Sequence, residues 1–132
     1  MHPSLGFSAK DPIEASDLVR KGLPHQKVEI FRKESGMSLE RIASATHIAR
    51  RTLARRKQGR LTGEESERLS RMASIFEQAV DLCEGDKGKA VAWMSRPNKA
   101  LGGRTPEELA HTEIGGREVL SLLGRLEHGV FS

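Results

Sequence analysis

The sequence has one cysteine, no tyrosine, and aromatic residues at only 4% of its 132 positions. A lone thiol, Cys83, excludes an intrachain disulfide and any metal site built from several cysteines, and leaves the ordinary use of a small buried apolar residue. With so few aromatics and no β-branched run of strand length, a sheet has little from which to build a core, so the chain is read as all-α. Nowhere does an apolar run approach the roughly 18 residues that a membrane helix needs. The first twenty residues carry Lys10, Asp11, Glu14 and Asp17 with no apolar stretch between them. A soluble, cytoplasmic protein without a membrane partner is expected.

Acidic residues are absent from one particular place. Between Glu40 and Glu64 there are none, against seven cations: Arg41, Arg50, Arg51, Arg55, Arg56, Lys57 and Arg60. The imbalance extends to the halves of the chain. Residues 1–63 hold 13 Lys+Arg against 6 Asp+Glu, a net of +7, whereas residues 64–132 hold 9 against 12, a net of −3. A front half that meets a polyanion and a back half with a different partner follow from this asymmetry. The overall pI of about 9.6 is compatible with DNA binding without proving it.

Local signals divide the chain into helices. Residues 1–10 read as a loose lead-in, and Asp11-Pro12-x-Glu14 then opens a helix that runs to about Gly22. A second helix from Pro24 carries Val28, Ile30 and Phe31 and stops near Gly36. Two short helices follow from Ser38. Thr62-x-x-Glu65 is a capping box at the head of a long helix toward Gly85. Its apolar set, Leu69, Met72, Ala73, Phe76, Ala79, Val80 and Cys83, steps by threes and fours and defines one stripe. That stripe serves either packing within the domain or dimerisation; about two heptads are too few to decide for a coiled coil. Beyond it come a short helix with Trp93 as a core anchor, a loop, a helix capped by Thr105-Pro106-x-Glu108, and a last helix from about Thr112 to His128. The resulting domains are residues 1–61 and 62–132, with 62–85 as a connecting or dimerisation helix.

The segment from Ser38 to Gly59, SLERIASATHIARRTLARRKQG, has the spacing of a helix-turn-helix. Leu39, Ile42 and a small Ala43 at the crossing form the inner face of its first helix; Ile48 and Leu53 form that of the second. A turn of three or four residues sets the two helices steeply enough for the second to enter a major groove. The pattern resembles the helix-turn-helix of the Xre and phage-repressor class without a gap, but departs from it twice. His47 stands where that class has a turn glycine, and Ala49 where it has a capping Ser. Histidine tolerates a left-handed backbone better than most residues, and a missing cap costs about 1 kcal/mol. Arg50, Arg51, Thr52 and Arg55 fall in the early turns of the second helix, where base edges or flanking phosphates are met. Arg56, Lys57 and Arg60 are assigned to phosphates. A solvated charged face is the plain alternative for the whole run. A module this small is expected to act as a homodimer on an inverted repeat with half-sites about one helical turn apart.

In the last helix Gly115, Gly116 and Gly124 sit in the interior, each at a cost of up to about 1 kcal/mol against Ala, which points to close backbone approach. Val119, Leu120, Leu122, Leu123 and Leu126 fill an apolar arc. Opposite lies a polar, cationic stripe of Arg117, Ser121, Gly124, Arg125 and His128, which is either a solvated face or a contact surface. Past Gly129 the chain ends in Val130-Phe131-Ser132. Either Val130 folds back on the helix as in a Schellman end, or Phe131 inserts into another protein; physics alone does not choose.

The stretch WMSRPNKALGGRTPEELAHTEIGGREVLSLLGRLEHGVF is similar to the toxin-binding domain of Xre-type antitoxins, also called the ParS-like toxin-binding domain. Its distinctive residues here are Pro97-Asn98, Leu101-Gly102-Gly103, Thr105-Pro106 and the helix from Gly116-Arg117 to Gly129. The resemblance implies that the partner is a RES-family toxin that degrades nicotinamide adenine dinucleotide, that the antitoxin's C-terminal end covers its active-site entrance, and that the complex represses its own operon. Carried over by position, the toxin contacts are Ile114, Arg117, Arg125, His128, Val130 and Phe131, while the loop from Asn98 to Thr105 is structural. No cofactor or metal is implied. A stand-alone repressor whose back half dimerises or senses a ligand is the alternative. An enzyme is disfavoured: Glu107 and His111, spaced i, i+4 with Glu113 nearby, lack a second His, a phosphate loop or an activated nucleophile.

Overall fold

In a computed structural model, residues 3–5, 12–54 and 59–129 are described. They form eight α-helices: α1 Pro12–Lys21, α2 Gln26–Ser35, α3 Leu39–Thr46, α4 Arg50–Leu53, α5 Gly63–Leu82, α6 Lys87–Met94, α7 Pro106–Leu109 and α8 Glu113–Glu127. Short 3-10 turns occupy Pro3–Leu5 and Lys99–Leu101. Among the described residues there is no strand, only isolated bridges between Pro24 and Arg60 and between Asn98 and Arg104. None of the described helices is long and apolar enough to cross a membrane.

The helix ends fall where the capping residues stand. Both expected capping boxes form reciprocally. Thr62 accepts from the Glu65 amide at 3.0 Å while Glu65 accepts from the Thr62 amide at 2.8 Å. Thr105 and Glu108 do the same at 3.2 and 2.7 Å. Each box satisfies two amides that a helix start otherwise leaves without partners. Thr112 caps α8 by accepting from the Gly115 amide. The loop before α7 is shaped as expected: the Asn98 side chain accepts from the Ala100 amide, and the Asn98 and Arg104 backbones pair.

α5 is the axle. It packs against α1, α3, α6, α8 and the Pro3–Leu5 turn. The expected stripe Leu69, Met72, Ala73, Phe76 and Ala79 is buried, and so are Ser66 and Ile75 on its flanks, whereas Val80 and Cys83 are half-buried. The stripe is therefore covered inside the chain, where it packs the core. Phe76 meets Phe31 of α2 edge to face at 5.7 Å. Burial of each large apolar side chain stabilises by about 1.5–3 kcal/mol, so these contacts outweigh the caps in holding α5. Ser66 completes the seam by accepting from the buried Leu23 amide at 2.7 Å.

Several expectations need correction. The lead-in is not loose throughout: Leu5 is fully buried and Ser4 bonds Glu77 of α5. Cys83 and Trp93 are only half-buried, packed at the margin of the core. At the α3 crossing Ala45, not Ala43, is the fully buried alanine. Gly22 holds the tightest approach. Its φ of +100° and the Leu61 carbonyl, with which any Cβ would collide, both require glycine there. The buried residues of both halves form one continuous cluster.

Candidate nucleic-acid and partner-binding interfaces

The helix-turn-helix is built from α3, the turn 47–49 and α4. Ser38 caps α3 by accepting from the Arg41 amide, and Leu39, Ile42, Ile48 and Leu53 bury the inner faces. His47 takes a left-handed conformation, φ 55° and ψ 36°, at the place where the helix-turn-helix pattern has a glycine. Ala49 precedes α4 without a side-chain cap, as its sequence dictates. The Arg68 guanidinium reaches in from α5 and donates to the Thr46 carbonyl at 2.7 Å, so the turn is held from behind.

Arg50 and Arg51 are exposed on the first turn of α4, and Thr52 beside them is half-buried. Arg50 is paired with Glu40 across 2.8 Å, with both side chains more than half exposed. The Glu40 carboxyl is held below its ordinary value by its own backbone amide first and then by Arg50. Exposed pairs of this kind contribute about 0–1 kcal/mol, so Arg50 is free to exchange Glu40 for a phosphate. Arg55, Arg56 and Lys57 lie outside the described residues. Arg60 is placed differently from the other cations: its guanidinium donates to the Gly22 carbonyl at 2.7 Å and fastens the loop before α5 to the end of α1.

Arg41 is not part of this surface. Its Nε lies 3.0 Å from each Glu107 carboxylate oxygen, and its Nη2 donates to Glu107 at 2.5 Å and to the Val91 carbonyl at 2.7 Å. One cation of the acid-free run thus ties α3 to α6 and α7. The same contact disposes of the Glu107–His111 pair as an acid–base device, because Glu107 is turned to Arg41 and His111 stacks on His47 with ring centroids 3.7 Å apart. Sequence reasoning missed both contacts, which join residues far apart in the chain. Among the described residues no group of three or more His, Cys, Asp or Glu is placed to hold a metal ion.

On α8, Val119, Leu122 and Leu123 are buried against the core, and the opposite face is open. At 3.6 residues per turn, Ile114, Arg117, Ser121, Arg125 and His128 fall within an arc of about 80° and along about 20 Å of helix. Ile114 is 76% exposed, the largest exposure among the large apolar side chains described. Arg117 pairs with Glu113 at 2.6 Å and Arg125 donates to Ser121 at 3.0 Å, both within the stripe's own surface. Val130 and Phe131 lie outside the described residues. The helix glycines divide. A Cβ on Gly115 would strike the Leu109 carbonyl and one on Gly116 the Arg71 side chain, whereas Gly124 faces open space and makes no close approach.

Comparison with known proteins places both surfaces inside matched regions. Residues 14–74 match the antitoxin Xre-like helix-turn-helix domain, and residues 78–129 match the antitoxin Xre/MbcA/ParS C-terminal toxin-binding domain. The chain is 43% identical to Antitoxin Xre of Yersinia enterocolitica over 130 residues, 97% of this chain and 88% of that protein. It is 36% identical to Antitoxin Xre of Photorhabdus laumondii over 131 residues, covering 98% and 88%. Antitoxin Xre of Pseudomonas putida is 36% identical over 69 residues, 52% of this chain and 43% of that one.

Proposed function

Because the chain belongs to the Xre antitoxin family, we propose that it is the antitoxin of a toxin–antitoxin pair and that it acts by binding, without chemistry of its own. Its partner is a RES-family toxin that degrades nicotinamide adenine dinucleotide, and inhibition is steric. The α8 stripe of Ile114, Arg117, Arg125 and His128 lies on the toxin, and Val130 and Phe131 cover its active-site entrance. The observation that carries this reading is Ile114: an apolar side chain 76% in solvent, heading a polar stripe inside the matched toxin-binding domain. A lone exposed isoleucine is ordinary on a protein surface, so it is its place at the head of the cationic stripe within the matched toxin-binding domain that favours a contact surface.

The front half, residues 1–61, represses the operon that encodes the pair. Arg50, Arg51 and Thr52 meet base edges or flanking phosphates in a major groove together with Arg55, and Arg56 and Lys57 add phosphate contacts, whereas Arg60, expected to do the same, is engaged by the Gly22 carbonyl. The active species on DNA is a homodimer on an inverted repeat. Since the α5 stripe is buried within the chain, the dimer forms through another surface.

The deciding experiment co-expresses this chain with the protein encoded beside it and follows growth and cellular nicotinamide adenine dinucleotide. Arrest and dinucleotide loss caused by the neighbour, both reversed by this chain, support the reading. A harmless neighbour removes the toxin and leaves a stand-alone repressor. Removing residues 130–132 should release the toxin while operator binding persists; an unchanged inhibition constant would sink occlusion by the tail. Arg51→Ala should cost about 1–3 kcal/mol on the cognate site and less on random DNA, and equal losses on both mean a phosphate contact only.

A further inference from the structure

Two imidazoles from opposite halves of the chain lie face to face. His47 stands in the turn between α3 and α4, His111 just past α7, and their rings are 3.7 Å apart and within 6° of parallel. Both backbones are held by one face of α5. Arg68 donates to the carbonyls of Thr46 at 2.7 Å and His47 at 3.5 Å; Arg71, one turn on, donates to those of Ala110 and His111 at 3.3 and 3.4 Å. Ring orientation is fixed on the α7 side, since His111 Nδ1 lies 2.8 Å from the Glu108 carbonyl and must carry the proton it donates there. The Arg41–Glu107 pair closes the joint from the other end of α7.

His47 is also one of only two non-glycine residues with positive φ among those described. A left-handed backbone is costly for a side chain with a Cβ, and the helix-turn-helix pattern provides a glycine there to avoid that cost. The His111 ring, lying parallel against that of His47, supplies dispersion contacts that a glycine cannot make. We propose that His111 is a positioning residue for DNA reading. Through the stack on His47 it fixes the turn and hence the setting of α4, so that the C-terminal module forms part of the support of the recognition helix. This rests on the proposal that α4 reads DNA, but its structural half stands independently of that.

The test uses the full chain and the variants His111→Ala, His111→Phe, His47→Gly and the double variant His47→Gly/His111→Ala. Amide hydrogen exchange is followed at Leu53 and Ala54, whose N–H groups bond the Ala49 and Arg50 carbonyls, with α5 amides as the global reference. His111→Ala should speed exchange at these two amides about 2- to 10-fold, the range for losing an aromatic pair, with α5 unchanged. His111→Phe, which restores a stacking ring, should return it to the original rate. In the His47→Gly background His111→Ala should have no further effect. Binding to a duplex of the DNA upstream of the chain's own reading frame should weaken by the same factor in His111→Ala and recover in His111→Phe. Unchanged exchange in His111→Ala, or a rise that extends equally through α5, overturns the proposal. If the unaltered chain fails to prefer that duplex to random DNA, the DNA-reading assignment falls, while the exchange results still decide the coupling.

Discussion

Charge counting groups Arg41 with the DNA-facing cations, whereas its contacts make it a tie between helices, and removing it separates the two roles. In Arg41→Ala, Glu107 loses every hydrogen bond from the guanidinium and the Val91 carbonyl loses its donor. The partners are 27% and 15% exposed, between the surface and interior cases. Exposed pairs contribute about 0.2–1 kcal/mol and breaking a buried pair costs about 3–5 kcal/mol, so a loss of about 2–3 kcal/mol is expected. With a urea slope of about 2 kcal/mol/M, the unfolding midpoint should fall by about 1–1.5 M. Glu107→Ala should fall comparably, and the double variant by less than the sum, with a coupling of about 1–2 kcal/mol. Operator affinity should keep its salt dependence. A midpoint shift below about 0.3 M together with a salt slope reduced by about one would refute the tie and assign Arg41 to the phosphates instead.

The glycines of α8 give a paired expectation. Gly124→Ala faces open space and should stabilise by about 0.5–1 kcal/mol, whereas Gly115→Ala collides with the Leu109 carbonyl and should destabilise by more than that; thermal unfolding of the two variants checks the opposite signs. The Glu108 carboxyl is held below its ordinary value of 4.5, first by the Thr105 backbone amide and then by Arg104. A depressed carboxylate contributes stability above its ordinary value and loses it as the pH falls through the lower, folded-state value. The melting-temperature difference between the unaltered chain and Glu108→Gln should therefore be constant near neutral pH and shrink below about pH 4.5; a difference independent of pH down to about 3 contradicts it.

What was legible in the sequence was written within single turns. Thr62 and Glu65, Thr105 and Glu108, and Pro12 announce helix starts because a cap and its target amides lie three residues apart. The stripe on α5 was equally readable, since one-face periodicity needs no knowledge of the partner. Its buried flanks, Ser66 on one side and Ile75 on the other, were not, because only the arrival of α1, α3 and α8 around the helix decides that it is covered on more than one side. The same holds for Leu5, whose burial comes from a pit formed by later helices. At the candidate sites Arg50, Arg51 and Ile114 stand exposed where the pattern put them. The contacts of Arg41 with Glu107, of Arg60 with the Gly22 carbonyl and of His47 with His111 leave no local trace in the sequence.

The sharing of α5 sets how the molecule comes apart. Its buried residues close the core for the front helices and the back helices at once, so neither end has a complete interior without it. Such a chain melts in one cooperative step instead of shedding one half and keeping the other. A protease that catches the opened state of either half destroys both binding surfaces together. On the function proposed above, the lifetimes of repressor and inhibitor would then be a single quantity, and turnover of this one chain would vacate the DNA and release the partner in the same event.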